Sequence, residues 1–163
     1  MEYEVTAVPA SATFALRRAV LRPHEDEAEM ALEGDDSPGT GFYAALAESG
    51  TVVSVARIAP AAPPFSPLEI AADGRGAERS ASWRLRGMAT REDVRSLGIG
   101  AAVLDRVVRH VADHGGGLLW CNARLAAVPF YRRAGFVTHG ETWEEPQIGP
   151  HVVMWRIVWG DTS

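Results

Sequence analysis

The chain has 163 residues, of which 47% are hydrophobic, and a formal net charge of −5 at pH 7. This length suits one domain spanning residues 1–163, and the hydrophobic content is too high for a disordered chain. No apolar run approaches about 18 residues, which argues against a membrane span, and the acidic balance argues against nonspecific binding of nucleic acid.

The N-terminal residues predict a short strand and a helix. Polar and apolar residues alternate over Glu2–Val8, which is typical of a strand. Ser11 is predicted to cap a helix that continues to about Leu21 and ends before Pro23. The predicted apolar positions of this helix are Phe14, Ala15, Ala19 and Val20. Residues 25–41 are acidic and predict a short helix at most, followed by a loop.

A β-hairpin is predicted next, followed by a long loop. The strands Phe42–Glu48 and Thr51–Ile58 are separated by Ser49-Gly50, which suits a tight turn. The loop Ala59–Ser82 is rich in proline and glycine. Loops of this length are uncommon inside domains, so it is either functional or a surface insertion.

The middle of the chain predicts a strand–helix–strand unit. Its strands are Trp83–Thr90 and the apolar run Leu118–Asn122, and its helix is Gly98–Asp113. Such a crossover makes the two strands parallel, and an apolar strand suits burial on both faces. The remaining strands are predicted as antiparallel hairpins, so the expected fold is mixed α/β with a mainly antiparallel sheet.

The C-terminal part predicts one more helix and two strands. The helix is Leu125–Ala134, with Pro129 in its first turn and Gly135 as its C-terminal cap. The strands are Phe136–Glu144 and His151–Val158. The single cysteine, Cys121, lies in the apolar strand, where we expect it to act as a small hydrophobic residue. It excludes an intrachain disulfide and suits a reducing cytoplasm.

Two glycines stand where a loop enters the predicted central helix. The first helical turn presents N–H groups without intrahelical partners and the positive end of the helix dipole. Gly98 and Gly100 would let a phosphate approach this backbone, and Arg95 would add a charged contact. Backbone N–H groups from Leu97 to Ala101 are therefore predicted to hold a pyrophosphate. Helix packing alone is the alternative explanation of the glycines.

The sequence Arg95-x-x-Gly98-x-Gly100 resembles the acyl-CoA-binding motif of the GNAT superfamily of N-acetyltransferases. A second stretch, Asn122-Ala123-Arg124 followed by Ala127 to Phe136, is similar to a downstream signature of the same superfamily. The resemblance covers about half of the chain. Three further stretches resemble a bacterial subgroup whose acceptors are mostly unassigned; they are Trp83–Thr90, Leu119–Arg124 and Ile148–His151.

The resemblance implies a GNAT-like acyltransferase fold and acetyl-CoA as co-substrate, and no metal site is predicted. It implies that the backbone of Met88-Ala89-Thr90 pairs with the pantetheine arm and that Tyr131 acts as general acid beside the sulfur. Packing is the alternative role of Tyr131, and the favoured one for Phe130. The implied cofactor-binding residues are Met88, Ala89, Thr90, Arg95, Ser96, Leu97, Gly98, Ile99, Gly100, Ala101, Asn122, Ala127, Phe130 and Arg133.

The general base and the acceptor are less well determined. Four candidates for the base lie near the C-terminal strands that border the acceptor site in the superfamily; they are Glu141, Glu144, Glu145 and His151. Of these, Glu141 and His151 are the predicted ones, and a histidine titrates in the right range for a base. A chain of water molecules is the alternative. If Arg86 and Arg124 converge, they would bind an acceptor with a carboxylate.

The predicted function is the transfer of an acetyl group from acetyl-CoA to a primary amine of a small molecule. Acetylation of a protein N-terminus or lysine is the first alternative. A regulatory module that binds acyl-CoA without catalysis is the second. Relatives in the superfamily often dimerise, and Trp155 and Trp159 on the last strand would suit a homodimer.

Overall fold

The computed structural model of the protein describes residues 1–66 and 81–161. Within these ranges, strands and helices follow one another in the predicted order. The strands are β1 (Tyr3–Ala7), β2 (Gly41–Ala47), β3 (Val52–Pro60), β4 (Ser82–Thr90), β5 (Gly116–Arg124), β6 (Val137–Glu145) and β7 (Gly149–Trp159). The α-helices are α1 (Phe14–Leu21), α2 (Ile99–Asp113) and α3 (Val128–Arg133).

The first of two compact units comprises Met1–Ala59 and Arg86–Val107. In this unit β1 pairs with β2 and β2 with β3, both antiparallel. The predicted turn between β2 and β3 is confirmed, because Gly50 has a φ of +87° and donates its N–H to the carbonyl of Ala47 at 2.8 Å. The apolar core of the unit joins the sheet to α1; it includes Ala44, Val55, Ala89, Leu16 and Val20.

The second unit comprises Pro60–Leu85 and Val108–Ser163. Here Ser82–Arg84 of β4 pair in parallel with Leu118–Trp120 of β5. β5 pairs antiparallel with β7, and β7 with β6. The strands are hydrogen-bonded in the order β1-β2-β3-β4-β5-β7-β6. The predicted mixed α/β fold, mainly antiparallel with one parallel crossover, is therefore confirmed.

The central helix α2 matches its prediction closely. The helix begins at Ile99, one residue after the predicted start, and its apolar face is buried from Ile99 to Val111. His110 is buried on the same helix, and its ring meets that of Trp83 edge to face at a centroid distance of 5.5 Å. The sequence pattern gave no reason to place His110 inside.

The first helix departs from its prediction at both its start and its buried face. Ser11 is not a helix cap, because a 3-10 turn occupies Ala10–Thr13 and α1 begins at Phe14. The predicted apolar stripe is right only in part, since Val20 packs into the core but Ala15 and Ala19 are exposed and the buried residue of α1 is Arg17. An arginine at the centre of the inner face must have buried polar partners, which a hydrophobic pattern cannot reveal.

Two backbone hydrogen bonds join β3 and its flanking residue to β4 and its flanking residue. Between these two bonds, the β4 segment is one residue longer than the β3 segment. The N–H of Ala61 donates to the carbonyl of Ser82 at 3.1 Å, and the N–H of Arg91 donates to the carbonyl of Val53 at 2.8 Å. We assign the extra residue to Gly87, whose φ of +69° is typical of glycine in a β-bulge.

The bulge changes which side chains share a face of the sheet. Side chains alternate along a regular strand, and an inserted residue shifts that alternation by one. Ala89 packs into the core beside α1, and from the shifted alternation we infer that Arg86, on the other side of the bulge, faces α1 as well. The charge of Arg22, at the end of α1, acts on Arg86, which agrees with this inference. A Cβ atom on Gly87 would lie 2.7 Å from Nε of Arg17, so the guanidinium of α1 crosses the bulge directly.

Two further predictions are adjusted by the structure. The predicted loop Ala59–Ser82 is shorter, because β3 extends to Pro60, and its residues 67–80 lie outside the described residues. The predicted helix Leu125–Ala134 begins as a 3-10 turn, and α3 starts only at Val128. Pro129 does lie in its first turn, and Gly135 follows it with a φ of +91°, as predicted. No helix in the described residues is long and apolar enough to cross a membrane.

Candidate active site

The loop before α2 has the backbone geometry that the sequence predicts for an anion site. Gly98 has a φ of +82°, and its carbonyl accepts the first helical hydrogen bond, from Ala102 at 3.1 Å. The N–H groups of Ile99, Gly100 and Ala101 therefore belong to the first turn, where no preceding carbonyl can accept them. This turn carries the positive end of a 15-residue helix.

Gly98 is required for its backbone conformation and not for packing. A Cβ atom added there would meet nothing within 4 Å, so the space beside the first turn is open. Residues with side chains rarely adopt such a φ, yet Ser96 in the same loop has a φ of +70°. Turns that contain left-handed residues are the setting in which backbone nests bind anions, so this loop fits such a site.

Both ends of this loop are anchored while its middle is exposed. Val94 and Ile99 are almost completely buried, whereas Leu97 between them is exposed over 57% of its surface. Arg95 is exposed, and its Nε donates to the carbonyl of Thr90 at 3.1 Å. The loop is therefore held against the end of β4 and presents its backbone outward.

The predicted pantetheine strand lies at the end of β4, within the first unit. Ala89 is buried, while Met88 and Thr90 are half-buried. The hydroxyl of Thr90 lies 2.8 Å from the hydroxyl of Ser54, which fixes the end of β4 against β3. A fixed strand end is a suitable backbone for an extended ligand to pair with.

In the second unit, Tyr131 is buried within an aromatic cluster. Its ring contacts Phe130 and Phe136 at centroid distances of 5.1 and 5.4 Å. Burial raises the pKa of the Tyr131 hydroxyl well above its usual value, and the neighbouring thiol of Cys121 raises it further. The hydroxyl therefore keeps its proton at neutral pH, as a general acid must before it reacts.

Cys121 has the structural role that the sequence predicts. It lies buried in β5, and burial raises the pKa of its thiol to about 12, although the cation of Arg84 opposes this shift. Only the thiolate is a strong nucleophile, so a thiol that keeps its proton is inert at neutral pH. The guanidinium of Arg84 in turn lies 5.0 Å from the ring of Trp120.

His151 is buried and held in one orientation. Its Nδ1 lies 2.8 Å from the carbonyl of Gly149, and its ring stacks on Trp143 at a centroid distance of 5.7 Å. A carbonyl oxygen can only accept, so we assign the proton of the neutral ring to Nδ1. Nε2 then carries the lone pair that can accept a proton.

Glu141, the other predicted base, has a different setting. It lies exposed in β6, within the register shift between His139 and Trp143, next to Gly140 with a φ of +78°. An exposed carboxylate is solvated, and no hydrogen bond or ion pair with another described residue fixes the direction of Glu141. It is reachable by an acceptor but not preorganised for one.

The remaining predicted residues of the second unit lie along β5 and α3. Asn122 is exposed although its neighbours in β5 are buried, and Arg124 is half-buried at the end of the strand. Ala127 and Phe130 are half-buried and Arg133 is exposed. Arg86 belongs to the first unit and Arg124 to the second, so their convergence stays a prediction. Among the described residues, no three acidic, histidine or cysteine side chains are grouped as metal ligands would be.

Sequence reasoning missed the arginines that surround Arg86 in the first unit. Arg17 and Arg57 are both buried, at 4% and 5% exposure. Each occurs within a mostly apolar segment, of α1 and of β3 respectively. A charged residue inside such a segment is the signal that could have identified them, because an unpaired buried charge is too costly to retain.

Comparisons with known proteins agree with this geometry. The sequence profile of the acetyltransferase (GNAT) domain family matches residues 42–154, more than half of the chain. The uncharacterised N-acetyltransferase YitI of Bacillus subtilis is 29% identical over 153 residues, which are 94% of this chain and 95% of that protein.

Solved structures share the fold at lower identity. FeeM, an N-acyl amino acid synthase from uncultured soil microbes, superposes with a TM-score of 0.70 at 14% identity, over 96% of this chain and 91% of its own. A phosphinothricin acetyltransferase of Sinorhizobium meliloti, crystallised with acetyl-CoA, superposes with a TM-score of 0.68 at 20% identity, over 100% and 92% of the two chains.

Proposed function

The chain belongs to the GNAT acetyltransferase family, and from that premise we propose that it moves an acetyl group from acetyl-CoA to the primary amine of a small molecule. Its family makes it an acyl-CoA-dependent N-acetyltransferase. The main support for acetyl-CoA as the co-substrate is the open space beside Gly98 at the start of α2. A solved GNAT neighbour with bound acetyl-CoA supports it.

We assign the binding of the pyrophosphate to the backbone N–H groups from Leu97 to Ala101, with Arg95 and Ser96 beside them. Open space and a positive helix end fit a group with two negative charges. Met88, Ala89 and Thr90 would pair with the pantetheine arm. The other cofactor contacts that we propose come from β5 and α3; they are Asn122, Ala127, Phe130 and Arg133.

In the proposed reaction the amine nitrogen attacks the thioester carbonyl carbon and the carbon–sulfur bond breaks. Tyr131 gives its proton to the leaving thiolate, and a phenol with a raised pKa holds that proton until it is needed. His151 takes the proton that the amine loses, at Nε2. Its fixed ring supports this role over that of the solvated Glu141, which is the second candidate.

We further propose that residues 1–163 form one catalytic domain that works in the cytoplasm. The cytoplasmic location rests on the single cysteine. Trp159 on β7 is half exposed, and a homodimer would form through this strand.

The proposed function is tested by calorimetric titration with acetyl-CoA, ATP and NAD, followed by thiol-release assays on a panel of acceptors. We expect micromolar binding of acetyl-CoA alone and turnover with small amines. Turnover only with peptides would favour acetylation of proteins. Tight binding without turnover on any amine would favour a regulatory module, and the absence of acetyl-CoA binding would contradict the assignment of the co-substrate.

The base is identified by pH profiles of His151→Asn and Glu141→Gln. If His151 is the base, its replacement removes the low-pH limb of kcat/KM, while Glu141→Gln keeps that limb. The reverse result would move the role to Glu141, and two unchanged profiles would favour water as the acceptor of the proton.

A further inference from the structure

Four arginines gather on the face of the first unit that α1 covers. Arg17 and Arg22 come from α1 and the residue that follows it, Arg57 from β3 and Arg86 from β4. The positive charges of Arg22 and Arg57 both act on Arg86, and that of Arg86 acts on Arg17. The bulge at Gly87 brings them together, because it is crossed by Arg17 and lets Arg86 turn to this face.

Two of these arginines already have structural partners. Arg17 donates to the hydroxyl of Thr13 at 3.1 Å and to the carbonyl of Met30 at 2.9 Å. Arg57 forms a salt bridge with Asp35, with 2.7 Å between Nε and Oδ1. These contacts hold both guanidinium groups in fixed positions inside the unit.

The third arginine, Arg22, is also paired, so Arg86 is the remaining member of the cluster. Arg22 forms a salt bridge with Glu25 at 2.7 Å. The guanidinium of Arg86 is half-buried and has no hydrogen bond or ion pair with any residue in the described part of the chain. The cluster thus combines four cations with the two carboxylates of Asp35 and Glu25.

Such a cluster is electrostatically unbalanced. Burial is the main cause that lowers the pKa of Arg86, and the nearby cations Arg22 and Arg57 lower it further. The pKa of Arg17 falls to about 10, again mainly through burial. Both stay charged at neutral pH, so the positive charges repel each other in a region of low dielectric constant. An anion beside Arg86 would relieve this repulsion.

On the basis of the proposed function, we propose that Arg86, supported by Arg17, Arg22 and Arg57, binds an anionic group of the acceptor. The acceptor is then an amine that carries a carboxylate or a phosphate. Both groups match the planar donors of a guanidinium, which bind two oxygens at once. Arg17 and Arg57 position the site and supply its field, and Arg86 makes the direct contact.

The test compares matched acceptors in the wild type. Amino acids are assayed against their carboxamides, and phosphoethanolamine against ethanolamine, and each rate is referred to the concentration of neutral amine, because loss of the anion also lowers the pKa of the amine. We expect at least a roughly tenfold higher kcat/KM for one anionic member than for its neutral partner, because a charge-assisted contact is lost in the latter. The pair that shows the difference identifies the anion as carboxylate or phosphate.

Arg86→Gln supplies the second half of the test. It should raise the KM of the anionic acceptor roughly ten- to a hundredfold with little change in kcat, and it should leave the neutral acceptor unaffected. Arg86→Lys should restore part of the affinity. Arg109→Gln, which removes an exposed arginine of α2, is the control and should change neither value.

A readout without turnover separates this proposal from the proposed function. The melting temperature is measured with each acceptor of a pair at equal ionic strength, for the wild type and for Arg86→Gln. Stabilisation by the anionic member in the wild type alone supports the site, whether or not the acceptor reacts. If neither kinetics nor melting temperature distinguishes the members of any pair, the anion site is wrong, while acetyl-CoA binding still reports on the proposed function.

Discussion

The loop before α2 and the helix α3 offer reactive groups in opposite ways. In the loop the groups are backbone N–H donors, the side chains of Ser96 and Leu97 before Gly98 are exposed, and what matters is the backbone conformation. In α3 the group is the hydroxyl of one side chain, Tyr131, which is buried among aromatic rings. Binding by the loop should therefore be sensitive to substitutions that change φ. Catalysis by α3 should be sensitive to a substitution that removes a single atom.

The largest effect is expected from Tyr131→Phe, which removes only that hydroxyl. If Tyr131 protonates the thiolate, kcat should fall about a hundredfold, the usual scale for loss of a general acid. The affinity for acetyl-CoA should not change, because the loop in the other unit supplies the proposed phosphate donors. Steady-state kinetics and calorimetry measure the two quantities.

Tyr43→Phe is the matched control for this variant. Tyr43 is also buried, and its ring lies 4.6 Å from the guanidinium of Arg106, a contact that phenylalanine keeps. Its kcat should stay at the wild-type value. An unchanged kcat in Tyr131→Phe would reject the acid role and leave Tyr131 as a packing residue.

An intermediate effect is expected from Gly98→Ala, which changes the loop and leaves α3 intact. A residue with a side chain at φ +82° costs about 1–2 kcal/mol, so the loop should shift away from its binding conformation. We expect the affinity for acetyl-CoA to fall roughly tenfold, since about 1.4 kcal/mol corresponds to that factor.

Gly50→Ala is the control, because it introduces the same backbone strain away from the proposed binding site for acetyl-CoA. Gly50 lies in the hairpin turn at φ +87°, and a Cβ atom there would also meet nothing within 4 Å. Both variants should lose similar stability in urea unfolding, but only Gly98→Ala should lose affinity. Equal affinities for acetyl-CoA in the two variants would mean that the open space at Gly98 has no role in binding.

The smallest effect is a loss of stability at high pH, and it is expected from Cys121, the buried neighbour of Tyr131. The thiol of Cys121 has its pKa raised from 9.0 to about 12 in the folded protein. Above pH 9 the unfolded chain loses this proton and the folded chain keeps it, so stability falls as the pH rises toward 12. Between pH 8 and pH 10 the wild type should lose about 1 kcal/mol more unfolding free energy than Cys121→Ala.

Urea titrations at the two pH values measure this difference. Tyr131 is present in both proteins, and burial, the main cause that raises its pKa, is kept in both, so its contribution nearly cancels in the comparison. Cys121→Ala will be less stable at both pH values because it removes buried volume, and only the change with pH is informative. Parallel losses in the two proteins would show that the thiol is not shielded from water as strongly as its burial indicates.

The same contrast explains what the sequence could predict. Gly98 and Gly100 follow a polar stretch and precede a regular apolar stripe, and both the helix start and the need for glycine are local properties. Tyr131 was identified only through the resemblance of its surroundings to a family signature. Nothing in the pattern of α3 itself distinguishes a buried phenol from a packing residue.

The long-range features were not predictable in this way. The burial of Arg17 depends on the carbonyl of Met30, and that of Arg57 on Asp35, which are 13 and 22 residues away in the sequence. The face of the sheet on which Arg86 lies depends on a β-bulge. A bulge shifts the alternation of a strand by one residue, and no sequence pattern of its own announces it. The exact alternation that identifies strands is the property that a bulge interrupts.

The stack of Trp143 on His151 gives the protein an optical reporter. A protonated imidazole over an indole ring attracts its π electrons and quenches its emission more than a neutral one does. The emission of Trp143 should therefore change with pH as His151 gains or loses its proton. Subtraction of the spectrum of His151→Asn would remove the emission of the other tryptophans. Fluorescence would then follow the protonation of the proposed base in the resting enzyme, without an acceptor in the sample.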